Sequence, residues 1–126
     1  MPKENRIRKS EDFKRVYSAG VRIKGRFMTA FVLASEASFQ RIGITASKKA
    51  IGNAVKRNRS KRLLREAFRL SAKELNGFEN CYDWVLNARQ EILDARMQAV
   101  KEEFQKIVLE VSEIEQKEGG FAKKKL

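Results

Sequence analysis

Histidine is absent from this chain and cysteine occurs once, at Cys81. Without histidine there can be no Ser-His-Asp triad, no Cys-His pair and no histidine-containing zinc site. A lone cysteine can neither close an intramolecular disulfide nor build a thiolate cluster, so the chain reads as reduced and cytoplasmic. No apolar run approaches the ~20 residues that a membrane span requires. The opening MPKENRIRKS has no apolar segment to serve as a signal peptide, and no membrane partner is expected. Acidic residues are scarce, 16 against 28 lysines and arginines. The neighbouring carboxylates Glu11-Asp12 and Glu102-Glu103 would diverge on a helix rather than converge as an acid-base pair. No catalytic constellation survives, so if a reaction is involved its active groups lie on a partner.

What is abundant is positive charge. The formal charge is +12 over 126 residues, a length that suits one small domain with one core. Residues 41–69 read RIGITASKKAIGNAVKRNRSKRLLREAFR, and after Ser47 they carry nine basic side chains opposed only by Glu66. Asn58, Arg62, Arg65 and Arg69 fall on one side of a helix with Arg59 beside them, while Ser60, Leu64, Ala67, Phe68, Ser71 and Leu75 form the opposite, core face. A charged stripe is usually a solvated helix face. Here the acidic residues at i±4 that would neutralise it are missing, and an anionic partner must offset the repulsion. Nucleic acid is the expected partner.

Patterning supplies the remaining elements. Ser10 to Ala19 is expected to be a helix, capped by Ser10 and closed by Gly20, with Phe13, Val16 and Tyr17 as its apolar stripe. Residues 27–34 form a strand with Phe27, Thr29, Phe31 and Leu33 on one face and Met28, Ala30, Val32 and Ala34 on the other. Residues 41–47 alternate: Ile42, Ile44 and Ala46 turn to the core, and Gly43, Thr45 and Ser47 turn away. Gly52-Asn53 breaks the chain before a long helix over 54–75, and residues 82–88 are a strand with Trp84 in the core and Cys81 at its edge. Leu93, Met97, Val100, Phe104, Ile107, Val111 and Ile114 recur at spacings of three and four, predicting a closing amphipathic helix. Residues 1–117 form the domain. Residues 118–126, with Gly119-Gly120 and Lys123-Lys124-Lys125, are expected to be a disordered basic tail.

Taken in order, these motifs resemble the protein subunit of bacterial ribonuclease P from Asn5 to about Val111. The most specific stretch is Gly52-Asn53-Ala54-Val55 followed by Arg57-Asn58-Arg59, Lys61-Arg62 and Leu64-Arg65-Glu66. Asp12-Phe13 with Tyr17 and Gly20, Gly43 with Ser47-Lys48-Lys49, and Asp83-Trp84-Val85 with Ala88-Arg89 match as well, Trp84 standing where a smaller β-branched residue is usual. The resemblance implies an α+β fold, a small two-layer α/β sandwich in the order α-β-β-β-α-β-α with a left-handed crossover around the arginine helix. One short strand of that order is not evident from patterning, and lies near residues 46–49 or 22–25.

The resemblance also implies a role: assisting a catalytic RNA that removes the 5′ leader from precursor tRNA, with Mg2+ held mainly by the RNA. Carried over by position, Lys48, Lys49, Lys56, Arg57, Asn58, Arg59, Lys61, Arg62 and Arg65 would bind the RNA subunit. Phe13, Tyr17, Thr29 and Phe31, with Thr45 and Ser47 as a polar floor, would line the leader cleft. Thr29 departs from the apolar residue expected there. Sulfate or phosphate is expected to stabilise the free protein by occupying sites meant for RNA phosphates. A ribosomal or RNA-chaperone protein would share the charge and the sheet. A DNA-binding protein would instead present a helix-turn-helix or a dimer seam, and here a strand and turn precede the basic helix.

Overall fold

The computed structural model describes residues 5–118. The elements in chain order are α1 (Ser10–Ala19), β1 (Val21–Lys24), β2 (Met28–Ala34), β3 (Arg41–Thr45), α2 (Lys48–Ile51), α3 (Ala54–Leu70), α4 (Ala72–Leu75), β4 (Tyr82–Ala88), a 3-10 turn (Gln90–Asp94) and α5 (Met97–Glu118). The strands form one sheet in the order β1-β2-β4-β3, antiparallel except for the parallel pair β3-β4. The short strand left open by patterning is β1, while the segment near 46–49 turns into α2. The tail expected over 118–126 falls, beyond Glu118, outside the described residues.

One face of the sheet holds the core. Met28, Ala30, Val32, Ile42, Trp84 and Leu86 pack against Leu64, Ala67 and Phe68 of α3 and Val100, Phe104, Ile107 and Val111 of α5. This is the two-layer sandwich, and α1 lies on part of the other face through Val16 and Phe13 against Val85, Phe31, Leu33 and Ile7. Trp84 is enclosed among Phe78, Tyr82 and Phe104. Its indole Nε1 donates to Gln40 Oε1 at 2.9 Å, and the same oxygen accepts the Tyr82 amide at 2.9 Å. A tryptophan in this strand is therefore accommodated with its polar atom satisfied.

The hand of the β3-α3-β4 connection follows from Ile42. Its side chain points into the core beneath α3, and its carbonyl accepts the Ile7 amide at 2.7 Å on the edge away from β4. For an L-residue in a strand running upward with its side chain toward the viewer, the carbonyl points right. The edge held by Ile7 is thus to the right, β4 is to the left, and the helix crosses in front. The crossover is left-handed, against the usual preference.

Local details differ from the sequence expectations in three places. Lys9, not Ser10, occupies the N-cap of α1, and its carbonyl accepts the Asp12 and Phe13 amides. Gly20 closes the helix in an extended conformation, its amide donating to Val16 O, so no left-handed turn is needed. The long helix expected over 54–75 breaks at Ser71, whose hydroxyl donates back to Ala67 O at 2.8 Å and whose backbone leaves the helical region. Asn53 caps α3 by accepting the Lys56 amide, and Gly52 before it has φ +110°, a conformation that other residues adopt only with strain.

The turn between β1 and β2 is clamped by α5. Glu103 accepts the amides of Arg26 at 2.6 Å, Phe27 at 2.9 Å and Met28 at 3.1 Å. Removing that acceptor in Glu103→Ala is expected to cost about 1–3 kcal/mol, because three oriented N–H groups lose a charged partner. Glu103→Gln, which keeps one acceptor oxygen, should cost less; urea unfolding of both variants measures the difference.

Candidate nucleic-acid interface

The basic residues of α2 and α3 do not act as one stripe. Lys48, Lys49, Lys56, Asn58 and Arg62 are exposed, and among the described residues none of the four cations has an acidic partner. Arg57 bends back to donate to Gly52 O at 2.8 Å. Arg59 reaches across to the 3-10 turn, donating to Leu93 O at 3.2 Å and Ala95 O at 2.9 Å. It caps carbonyls that the turn leaves without partners. Arg69 pairs with Glu66 three residues earlier. The arginine side chains most available to a ligand are therefore Arg62, exposed, and Arg65, in a groove.

That groove was not legible in the linear pattern. Arg6 and Arg8 meet Lys61 and Arg65 over Ile42 and Ile44 in a depression of about 240 Å³. The extended segment at Arg6 runs parallel to β3, so Ile7 turns inward under α1 and its two arginine neighbours stay exposed. Sequence pattern offered a signal here, alternation in Arg6-Ile7-Arg8. Placing it beside α3 required the tertiary fold. Four cations that have no carboxylate partner among the described residues form a concave positive surface, a geometry suited to phosphate oxygens.

The second candidate region is the sheet face beside α1. Strand register aligns Lys24, Thr29, Asn87 and Thr45 across β1, β2, β4 and β3. Arg22, Phe31, Val85 and Gly43 make the next row. Gly43 lets α1 approach: a Cβ there would lie 2.7 Å from the Phe13 ring. Tyr17 is 38% exposed, stands edge-on to Phe31 with ring centroids 4.9 Å apart, and donates its hydroxyl to Asn87 Oδ1 at 2.9 Å. Thr45 donates to the same oxygen at 2.7 Å.

The fold thus brings Phe13, Tyr17, Phe31, Thr29 and Thr45 to one face. Thr29 is nearly enclosed at 9% exposure and offers a ligand the least surface of the group. Ser47 is exposed at the start of α2, where its Oγ accepts the Ala50 amide as a helix cap. Asn87 was missed by sequence reasoning, since a polar residue in a strand read as core carries no local sign of the hydroxyls it meets.

Two carboxylates at the opposite end of the sheet are engaged. Asp83, almost wholly buried, accepts two hydrogen bonds from Arg41 at 2.7 Å, and this contact raises the Arg41 pKa. Glu115 accepts from the Glu79 and Asn80 amides and from Tyr82 Oη. Burial, then the Glu115 contact, pushes the Tyr82 phenol well above its ordinary value. Among the described residues there is no group of three or more His, Cys, Asp or Glu side chains able to hold a metal, and no helix is long and apolar enough to cross a membrane.

Fold and site together define a basic α+β platform of the kind that serves a polyanionic partner. The family model for ribonuclease P matches residues 1–112. The ribonuclease P protein component of Caldanaerobacter subterraneus subsp. tengcongensis is 38% identical over 116 residues, covering 92% of this chain and 97% of that protein. That of Halalkalibacterium halodurans is 40% identical over 102 residues, covering 80% and 82%. The Staphylococcus aureus RNase P protein structure superposes with a TM-score of 0.71 at 31% identity, covering 87% of this chain and 96% of that one. The Thermotoga maritima RNase P protein, at 22% identity and a TM-score of 0.73 over 84% and 96% of the two chains, shares the fold. The chain belongs to the family of bacterial ribonuclease P protein subunits. It is the protein component of a ribonucleoprotein endoribonuclease in tRNA processing, and its partner is RNA.

The two arginine environments separate by experiment. Arg59→Ala should lower stability by about 1 kcal/mol, through loss of its charge-assisted bonds to main-chain carbonyls. Arg62→Ala should leave the melting temperature within a degree or so of the parent, since surface changes away from such contacts are close to neutral. Thermal unfolding of the two variants side by side checks this.

Proposed function

We propose that this chain binds the catalytic RNA of ribonuclease P through the cations of α2, α3 and the N-terminal segment, and the 5′ leader of precursor tRNA through the sheet face beside α1. The observation that carries this reading is the pairing of two unlike surfaces on one small fold, one on the helices of the crossover and one on the sheet face beside α1. One is a positive surface in which Lys48, Lys49, Lys56, Lys61, Arg62 and Arg65 lack acidic partners among the described residues. The other is an aromatic and hydroxyl-bearing cleft around Tyr17, Phe31, Asn87 and Thr45. Phosphates of folded RNA suit the first. Unpaired nucleotides, whose bases can stack on rings, suit the second.

Asn58 adds a neutral donor and acceptor to the positive surface, while Arg57 and Arg59 contribute their charge from positions fixed by main-chain carbonyls. The hydrolytic chemistry is assigned to Mg2+ held by the RNA. In support, the carboxylates of Asp83, Glu103 and Glu115 already accept hydrogen bonds from protein donors. When bound, such ions orient the attacking water and stabilise the leaving oxygen. The protein's part is to hold the leader and to support the RNA fold that carries the ions, in the cytoplasm where tRNA is made.

Replacing Arg62 and Arg65 together with alanine is expected to weaken binding of the RNA subunit and to flatten its salt dependence. Each lost phosphate contact should remove somewhat under ~1 unit of log-log slope. Equal affinity and slope in a folded double variant rule the surface out. In the reconstituted holoenzyme, Phe13→Ala and Tyr17→Ala should weaken precursor tRNA far more than mature tRNA, on the ~1–3 kcal/mol scale of a stacked base. Equal losses for both tRNAs, or a loss of stability alone, mean that the rings are only packing.

Sulfate or phosphate should also raise the melting temperature of the free protein in a saturable way. At a hundredfold excess over the dissociation constant the stabilisation is about 2.7 kcal/mol. Chloride at matched ionic strength is the control, and no advantage over chloride means that the free fold has no preformed anion sites.

A further inference from the structure

Asn87 occupies a singular position on the cleft floor. Its Oδ1 accepts the Tyr17 hydroxyl at 2.9 Å and the Thr45 hydroxyl at 2.7 Å, which takes both lone-pair directions of the amide oxygen. Its Nδ2 donates to no other described residue, and the side chain is half-buried rather than enclosed. Two hydroxyls on different elements, α1 and β3, hold the amide with its oxygen turned toward them. They leave its NH2 as a donor on the cleft side. The Tyr17 ring stands beside this donor as a stacking surface, and Lys24 lies at the far end of the same row.

An aromatic cleft by itself holds unpaired bases with little preference, because every base has a π face. An oriented amide with its oxygen occupied is different, since it offers donors only. We propose that Asn87 is a specificity-determining residue that donates to an acceptor atom, a carbonyl oxygen or ring nitrogen, on the edge of one leader base stacked at Tyr17. The inference rests on the reading of this face as the leader cleft. A base edge that presents an exocyclic amine to Nδ2 leaves two donors facing one another and is disfavoured. Burial of the pair between Tyr17 and the sheet strengthens that discrimination.

The test uses the reconstituted holoenzyme and precursor tRNAs with a single abasic nucleotide at each leader position in turn. Each is bound by the parent and by Asn87→Asp. The aspartate keeps acceptor oxygens for the Tyr17 and Thr45 hydroxyls and removes the N–H donors, and its added charge acts on intact and abasic substrates alike. At one leader position, removing the base should cost the parent about three- to tenfold more affinity than it costs the variant, the scale of one hydrogen bond. Asn87→Ala, checked by melting temperature to be folded, should show the same coupling at the same position. Losses of equal size at every position, or no coupling in either variant, overturn base reading by Asn87. If Phe13→Ala and Tyr17→Ala still separate precursor from mature tRNA in that case, the leader cleft stands and only the assignment of Asn87 falls. If they do not, both fall.

Discussion

The parallel pairing of β3 with β4 is the constraint on which the rest of the molecule depends. Two parallel neighbours cannot be joined by a tight turn, so the chain must leave the sheet and return across its face. That crossing is α2, α3 and α4, and it lays the basic helix against the core. The same pairing puts β4 between β2 and β3, where it is buried on both faces along most of its length. Its register then decides which side chains share a row, including Thr29, Asn87 and Thr45.

The polar contacts around this pair are concentrated where strand ends would otherwise be left open. Gln40 accepts from the Tyr82 amide and the Trp84 indole and donates to Asn80 O, tying the start of β3 to the start of β4. Arg41 and the buried Asp83 pair across the same two strands with two bonds at 2.7 Å. Breaking a buried pair of this kind leaves an uncompensated charge, which is why its geometry matters more than its net worth. Both contacts act at the end of the sheet opposite Asn87, so the register at the cleft is held from a distance by groups that never touch a ligand.

Charge is divided between roles in the same way. In linear pattern, a helix with this many arginines reads as one adhesive surface. Instead Arg57, Arg59 and Arg69 satisfy main-chain carbonyls or Glu66, and Arg62, Arg65 and the lysines of α2 and α3 keep their donors open among the described residues. The first group stabilises the free fold and still adds to the positive field. The second is available for directional contacts with phosphates. Arg6 and Arg8 join it from a segment more than 50 residues away in the chain, only because Ile7 is anchored to Ile42.

Much of this was written in local pattern. The core face of α3 and α4, with Ser60, Leu64, Ala67, Phe68, Ser71 and Leu75 all buried, follows from helical periodicity, and the extents of α1 and β4 follow from an apolar stripe and a β-rich run. Family resemblance carried the order of elements along the chain and the left-handed crossover, which no local signal contains, and the order of strands in the sheet came only with the structure. The position of β1 was left open because VRIK is four residues long, too short for alternation to stand out, and pairing with β2 decides it. The capping work of Arg59 depends on neighbours distant in sequence. So does Asn87, whose meaning lies in hydroxyls contributed by Tyr17 and Thr45, 70 and 42 residues away. Periodicity reports which face of an element is buried, because that depends on the residue's own chain neighbours. Which polar groups meet on an exposed face depends on register and crossover, and those exist only once the sheet has formed.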